Sequence, residues 1–298
     1  MSKKMGSGAK PKLACEISAD RVLAGRVSDR GRTIEMCAAG ELKPGTVVPD
    51  LIEANLKEPE AIRATIRETL GSVSGRSRDV IAVLPDAAVR VVLLDFESLP
   101  SKRAEAEGVV RFRLKKSLPF DVDKAKISYQ TETSATGVRL IAAVALNSVV
   151  EDYEAAFREV GYTPGIVLPS MLAALGAADA SRPTLVVKVD ARTTSIAILD
   201  KQQLLLFRTL ENTRGLTISG EQLADEVYPS IVFFQDTYHL NIEKIFVAGL
   251  SDSGGALAAF QSQVGMEVHE LVAASQLGTT YGSVPRWRMA GVVGALIS

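Results

Sequence analysis

One succession of strands and helix is written twice in this chain, and the repetition leaves few folds open to it. Residues 13–17, 21–27 and 33–37 read as three short strands parted by Ala19-Asp20 and Asp29-Arg30-Gly31, residue types that favour turns. A helix follows over 59–70, where Pro59 suits a first turn and Ile62, Ile66 and Leu70 recur at helical spacing. The run Val80-Ile81-Ala82-Val83-Leu84 then reads as a buried strand. The same order returns at 184–189, 195–199 and 204–208, with a turn at Asp200-Lys201-Gln202. Ser219, with Gln222 three residues on, has the form of a capping box opening a helix to about Leu240, which Pro229 should kink. Residues 244–248 supply the closing strand before Gly249. Two meander, helix and strand units predict a two-domain α/β fold with a cleft between related halves.

The first unit is interrupted at 85–162. A strand at 89–96, a helix from Pro100-Ser101 to Leu118-Pro119, strands at 127–133 and 138–146, and a helix at 149–160 closing at Gly161 describe a small inserted α+β subdomain. Gly165 to Leu168 and the alanine-rich stretch 170–180 return to the first half, and Ser181-Arg182-Pro183 reads as a hinge. The expected division is a disordered N-terminus at 1–10, a first domain at 11–180 carrying the insert, and a second domain at 181–298.

Composition limits partners and compartment. The 298 residues are 47% hydrophobic and 23% charged, enough mass for two packed domains, and the formal net charge of -1 gives no overall pull toward nucleic acid. Cys15 and Cys37 match neither a metal pair nor a redox motif and read as two reduced core thiols. Lys3, Lys4, Lys10 and Lys12 are not followed by an apolar signal region, and the apolar run at 289–297 is too short to span a bilayer. A cytoplasmic protein is expected. His239 and His269 stand apart without metal-ligand spacing.

Several segments resemble, in order, the PilM family of type IV pilus assembly proteins, relatives of the bacterial cell-division actin homologue FtsA. They are Leu99-Pro100 before the insert helix, Leu118-Pro119-Phe120 at its end, the passage from Tyr153 to Gly161, Phe207-Arg208 ending the second meander, and Met289-Ala290-Gly291-Val292-Val293-Gly294-Ala295-Leu296. Each motif is weak alone, but together they span nearly the whole chain. The resemblance implies an actin-like, ribonuclease H-like fold, ATP with magnesium in the interdomain cleft, and a groove for the cytoplasmic N-terminal tail of PilN, a bitopic inner-membrane protein. It also implies a place at the cytoplasmic face of the inner membrane.

The nucleotide motifs depart from the family's. Its first phosphate hairpin reads Asp-Ile-Gly, whereas this chain has Glu16-Ile17-Ser18-Ala19-Asp20-Arg21, with a longer carboxylate and no glycine. The second hairpin is Lys188-Val189-Asp190-Ala191-Arg192-Thr193-Thr194, with a lysine in the place of the metal-positioning aspartate. Glycines expected after Arg208 shrink to Gly215, and the adenosine-side pair to Gly249-Leu250, with Gly254-Gly255 a few residues on. The remnants are Ser18, Asp20, Lys188, Asp190, Thr193 and Gly249. Lys188 could neutralise phosphate but cannot hold magnesium, and such side chains also occur in solvated turns without chemistry. The expectation is a pseudo-ATPase scaffold that binds ATP weakly or not at all.

For the partner tail, the insert offers edge strands at 89–96 and 127–133, with Val91, Leu93, Leu114, Leu118 and Phe120 as groove candidates. Pro119 reads as a helix stop. Arg111, Arg113, Lys115 and Lys116, interleaved with Phe112 and Leu114, have two readings: the solvated side of an amphipathic helix, or cations meeting acidic headgroups or a partner near the membrane. Rival functions are an ATP-binding actin-like protein of a related secretion or cell-division machine, and a kinase of the same superfold, which would need the carboxylates and glycines lost here. Whether the protein self-associates is left open.

Overall fold

The computed structural model describes residues 10–31, 33–134, 137–251, 255–279 and 281–298. The expected disordered start lies outside these residues except for Lys10, whose Nζ donates to the carbonyl oxygens of Leu296 (3.3 Å) and Ser298 (2.6 Å).

Strands β1 (Leu13–Ile17), β2 (Arg21–Val27) and β3 (Ile34–Glu41) form the first meander, the last longer than the sequence suggests. Helix α1 (Pro59–Val73) starts on a proline and buries Ile62, Ile66, Leu70 and Val73, so one stripe of a 3.6-residue repeat covers the sheet. After β4 (Asp79–Leu84) come β5 (Arg90–Phe96), α2 (Arg103–Leu114), β6 (Ala125–Ser134), β7 (Gly137–Leu146), α3 (Asn147–Arg158), β8 (Thr163–Pro169) and α4 (Ser170–Ala174). The second half is β9 (Thr184–Val189), β10 (Thr193–Asp200), β11 (Gln203–Glu211), α5 (Gly220–Tyr238), β12 (Lys244–Ala248), α6 (Ala256–Val264), β13 (Val268–Glu270) and α7 (Ala290–Ile297). Ser219 and Gln222 close the expected capping box on α5, which runs unbroken through Pro229 and ends on His239 in the left-handed region at φ 55°.

Strand order establishes the duplication. The first sheet is β3-β2-β1-β4-β8 and the second β11-β10-β9-β12-β13, each with an antiparallel meander on one side and parallel strands on the other. The central β1 and β9 are buried at every position, as strands covered on both faces must be. The insert is a third sheet, β5-β7-β6, under α2, with Val110, Leu114, Leu140, Ala142 and Val144 as its core.

Three features were not legible in the sequence. Helix α3, expected to close the insert, instead packs Val149, Tyr153 and Phe157 against Ile62 and Ile66 in the first half's core. Helix α6 and the three-residue β13 complete the second sheet from a stretch with little periodicity. Helix α7, expected within the second half, packs on β1, β2, β4 and α4 of the first. Glycines permit that approach, since a Cβ on Gly294 would lie 2.1 Å from the Ala173 carbonyl oxygen and one on Gly25 2.6 Å from Val292 Cγ1. A single apolar cluster therefore joins the halves, with Ala14, Leu23, Ile81 and Val83 packed in one core with Val186, Ala197, Leu199, Ala248 and the buried side of α7.

Candidate functional site

The β1–β2 and β9–β10 turns face each other across the cleft. In the first, Ser18 N–H donates to the Arg21 carbonyl, and Ser18 Oγ donates to Asp20 Oδ1 at 2.7 Å. In the second, Asp190 N–H donates to the Thr193 carbonyl. Of the six candidate pocket residues, the structure brings Ser18, Asp20, Lys188, Asp190 and Thr193 together in these two turns. None is a solvated turn residue: Asp20 is half-buried and the other four are buried. Gly249 closes against the backbone of Val189, the residue between Lys188 and Asp190. Its φ is +87° and a Cβ would meet Val189 O at 1.8 Å, so the packing of β12 against β9 already requires glycine there. Of Gly254-Gly255, Gly254 lies outside the described residues, and Gly255 caps the start of α6 with φ 68°.

Charged groups from both halves fill the space between the turns. The Lys188 ammonium donates to Asp190 Oδ2 and lies 3.7 Å from Glu16 Oε1, while Ser170 Oγ donates to the same Glu16 oxygen. Arg21 donates to both Asp20 oxygens at 2.9 Å and reaches Asp190 Oδ1 at 3.9 Å. Asp86, just beyond β4, accepts from Met171 N–H at 2.8 Å and from Ser195 Oγ at 2.9 Å. Asp86 belongs to no motif in the sequence, and its only signal there is a carboxylate two residues after a buried strand.

Burial and the neighbouring charges together decide the protonation of this network. Burial favours the neutral amine of Lys188, but Asp190, Glu16 and Asp86 outweigh it and hold the lysine charged, above its ordinary range. Burial pushes the Asp86 carboxyl up to about 6, only partly offset by Lys188 and the Met171 amide. Burial also raises Asp20, yet the Arg21 guanidinium and Ser18 hydroxyl leave it below the usual carboxylate range. The two cations of the cleft are thus already shared among Glu16, Asp20, Asp86 and Asp190. A triphosphate is a poor fit to this arrangement, since its oxygens would meet carboxylates whose cations are already paired, although Glu16 Oε2, Asp190 Oδ1 and Arg21 Nε are buried without a hydrogen-bond partner. Among the described residues no group of three or more His, Cys, Asp or Glu is arranged to hold a metal ion. A cavity of about 370 Å³ lies beyond, between the start of α5 at Ser219–Glu221 and Leu250, Ser251 and Ala256.

The second candidate site is a groove. In the first sheet β8 is the edge strand opposite β3, and between it and the insert runs a cavity of about 400 Å³. Its walls are Gly165, Val167 and Leu168 of β8, Ala143 and Ala145 of β7, and Lys126 and Ser128 of β6, with Val150 of α3. Gly165 is the bulged residue of β8, since Val80 pairs with Pro164 and the adjacent Ile81 with Ile166. None of the five residues expected to bind the partner lines this groove. Leu114 is fully buried in the core of the insert, where it cannot meet a partner, and that assignment is corrected. Leu118 and Phe120 pack partly buried against the same core, and Phe120 also against the first half. Val91 lines a different cavity, of about 260 Å³, between β5 and β11, and Leu93 packs against the core joining the halves. The expected edges are edges, because β5 and β6 flank β7, but β5 faces β11.

A solved PilM-PilN type IV pilus biogenesis complex superposes on this chain with a TM-score of 0.77 over 96% of this chain and 97% of the other, at 20% identity. The chain has the actin-like fold. The ethanolamine utilization protein EutJ from Carboxydothermus hydrogenoformans matches at a TM-score of 0.53 and 10% identity, over 96% of this chain and 89% of its own. No protein-family model and no curated protein matches the sequence. At these identities the likeness is one of fold, and both actin-like halves and the insert of this chain take part in it. No helix among the described residues is long and apolar enough to cross a membrane.

Proposed function

We propose that this actin-like protein is a scaffold of type IV pilus assembly that takes the N-terminal cytoplasmic tail of a bitopic, PilN-like inner-membrane protein into the groove between β8 and the insert. The observation that carries this reading is the groove itself. The edge strand β8, which pairs with β4 on one side alone, faces Ala143, Ala145 and Val150 with the Lys126–Glu154 ion pair beside them, an arrangement suited to an extended peptide that adds backbone hydrogen bonds and side-chain anchors. The likeness to a PilM-PilN complex over nearly the full length of both chains supports it. The reading also makes the protein a pseudo-ATPase, its halves held together by the Glu16, Arg21, Asp86, Lys188 and Asp190 network in the place a nucleotide would occupy. Its location would be peripheral, at the cytoplasmic face of the inner membrane through its partner.

The test is binding of synthetic tails from bitopic proteins encoded beside this gene, measured by fluorescence anisotropy. Gly165 lines the groove and a Cβ there meets nothing within 4 Å, so Gly165→Trp adds bulk at the groove wall without a clash at Cβ. Affinity for the matching tail should fall by tenfold or more, about 1.4 kcal/mol, and should change little with moderate salt. A tail bound equally by Gly165→Trp sits elsewhere, and if the intact protein binds none of the tails the scaffold reading fails.

A further inference from the structure

Helix α2 presents two faces of opposite character. Ala106, Val110 and Leu114, at i, i+4 and i+8, are buried against the insert sheet. On the other side, Val109, Phe112 and Arg113 fall at i, i+3 and i+4 and share a face, with Lys115 and Lys116 in the turn that follows the helix. Phe112 is 70% exposed and Val109 37%, one turn apart. In an ordinary solvated helix face Phe112 would be polar, so the structure departs from the simpler reading of this basic stretch.

The charges around this apolar pair are one-sided. Between residues 102 and 126 there are eight Lys and Arg against four Asp and Glu, in a chain of formal net charge -1. Of the four acids, Glu105 is bound to Lys102 and Glu107 to Arg111. Arg113 lies over the Phe96 ring, 5.8 Å from its centroid, which keeps its charge beside Phe112. Among the described residues Lys115 and Lys116, both exposed, form no ion pair.

We propose that this face of α2 rests on an anionic lipid bilayer, with Phe112 and Val109 entering the boundary between headgroups and acyl chains while Arg113, Lys115 and Lys116 meet phosphate headgroups. Charge complementarity selects the occupant. Unpaired cations ringing an exposed aromatic and an aliphatic side chain match a surface that is negative outside and apolar just beneath. A nucleic acid would satisfy the cations but leave Val109 in water.

The experiment is co-sedimentation of the full chain with vesicles made of equal parts phosphatidylglycerol and phosphatidylcholine, and with vesicles of phosphatidylcholine alone. Lipid is the only ligand, so the result does not depend on the groove or on any protein partner. Binding is expected on the mixed vesicles and not on the neutral ones. Phe112→Ser should weaken it about tenfold, the effect of withdrawing a partly inserted aromatic ring. Lys115→Glu with Lys116→Glu should weaken it by more than tenfold, and added salt should weaken the parent protein in the same way. Both sets of changes lie at exposed positions and should leave the thermal unfolding midpoint in place, so a loss of binding is not a loss of fold. Failure to bind mixed vesicles, equal binding to neutral ones, or an unaffected Phe112→Ser variant overturns the proposal. So does an RNA oligomer that binds more tightly than the vesicles and needs the same residues.

Discussion

Lys188 shows how much a single buried charge can decide. It is 4% exposed and its ammonium is shared by carboxylates from both halves. Lys188→Met keeps the volume but leaves Glu16, Asp86 and Asp190 without their common cation, so urea unfolding should report a loss of about 3–5 kcal/mol. Asp86 carries a pH dependence of opposite sign to that of a salt-bridged acid. Its folded value of about 6 lies above the ordinary carboxylate value of 3.8, so the folded state holds the proton more tightly and stability falls as pH rises from about 4 to 6. Asp86→Asn imitates the protonated form and keeps an oxygen for the Met171 amide. The variant should match the parent near pH 3 and exceed it by up to about 3 kcal/mol at pH 7. Denaturant unfolding across that range would refute the assignment if the difference stayed flat with pH.

At the scale of elements, the short helix α7 depends on close backbone approach, not on its own propensity. Eight residues are too few for a stable isolated helix, and all but Ile297 are buried. Gly294→Ala drives a methyl into the Ala173 carbonyl, so the unfolding midpoint should drop with a cost of about 1–3 kcal/mol. Gly71 in α1 is the contrasting case. It is exposed in a helix and an added Cβ touches nothing, so Gly71→Ala should stabilise by roughly 0.5–1 kcal/mol. Equal and small effects of the two substitutions would mean that α7 is not clamped between the sheet and α4.

For the whole molecule, the question is what holds the two halves together. An apolar cluster and a buried charge network both cross between them. If these replace a nucleotide, ATP with magnesium at millimolar concentration should leave the unfolding midpoint unchanged within about 1 °C. A dissociation constant of about 10 μM would instead add roughly 2.7 kcal/mol at a hundredfold excess and raise the midpoint by roughly 5 °C. A shift of that size would return the protein to the nucleotide-binding members of its fold. The two thiols test the compactness of the same molecule. Burial raises Cys15 and pushes Cys37 up to about 12, so neither should react with a thiol reagent at pH 8 until the chain unfolds.

The sequence by itself determined the duplicated α/β architecture. Apolar strands such as 80–84 and 184–189, turn residues between them, and the Ser219–Gln222 cap are local signals whose periods of 2 and 3.6 survive without tertiary context. The contiguous runs 16–21 and 188–194 each hold a turn between two apolar strands, and the structure brings these two turns together. What those residues do was decided only in three dimensions. Glu16, Lys188 and Asp190 read as turn residues one at a time and become a buried, ion-paired set only when β1 and β9 are set face to face. The groove was illegible for a related reason: β8 is an edge because of strand order, a long-range property, and Ala143, Gly165 and Val150 carry no mark of a wall. Leu114 and Phe112 lie two residues apart in a basic helix, and sequence spacing alone did not say which would be buried; packing against the β5-β7-β6 sheet took Leu114 and left Phe112 in water.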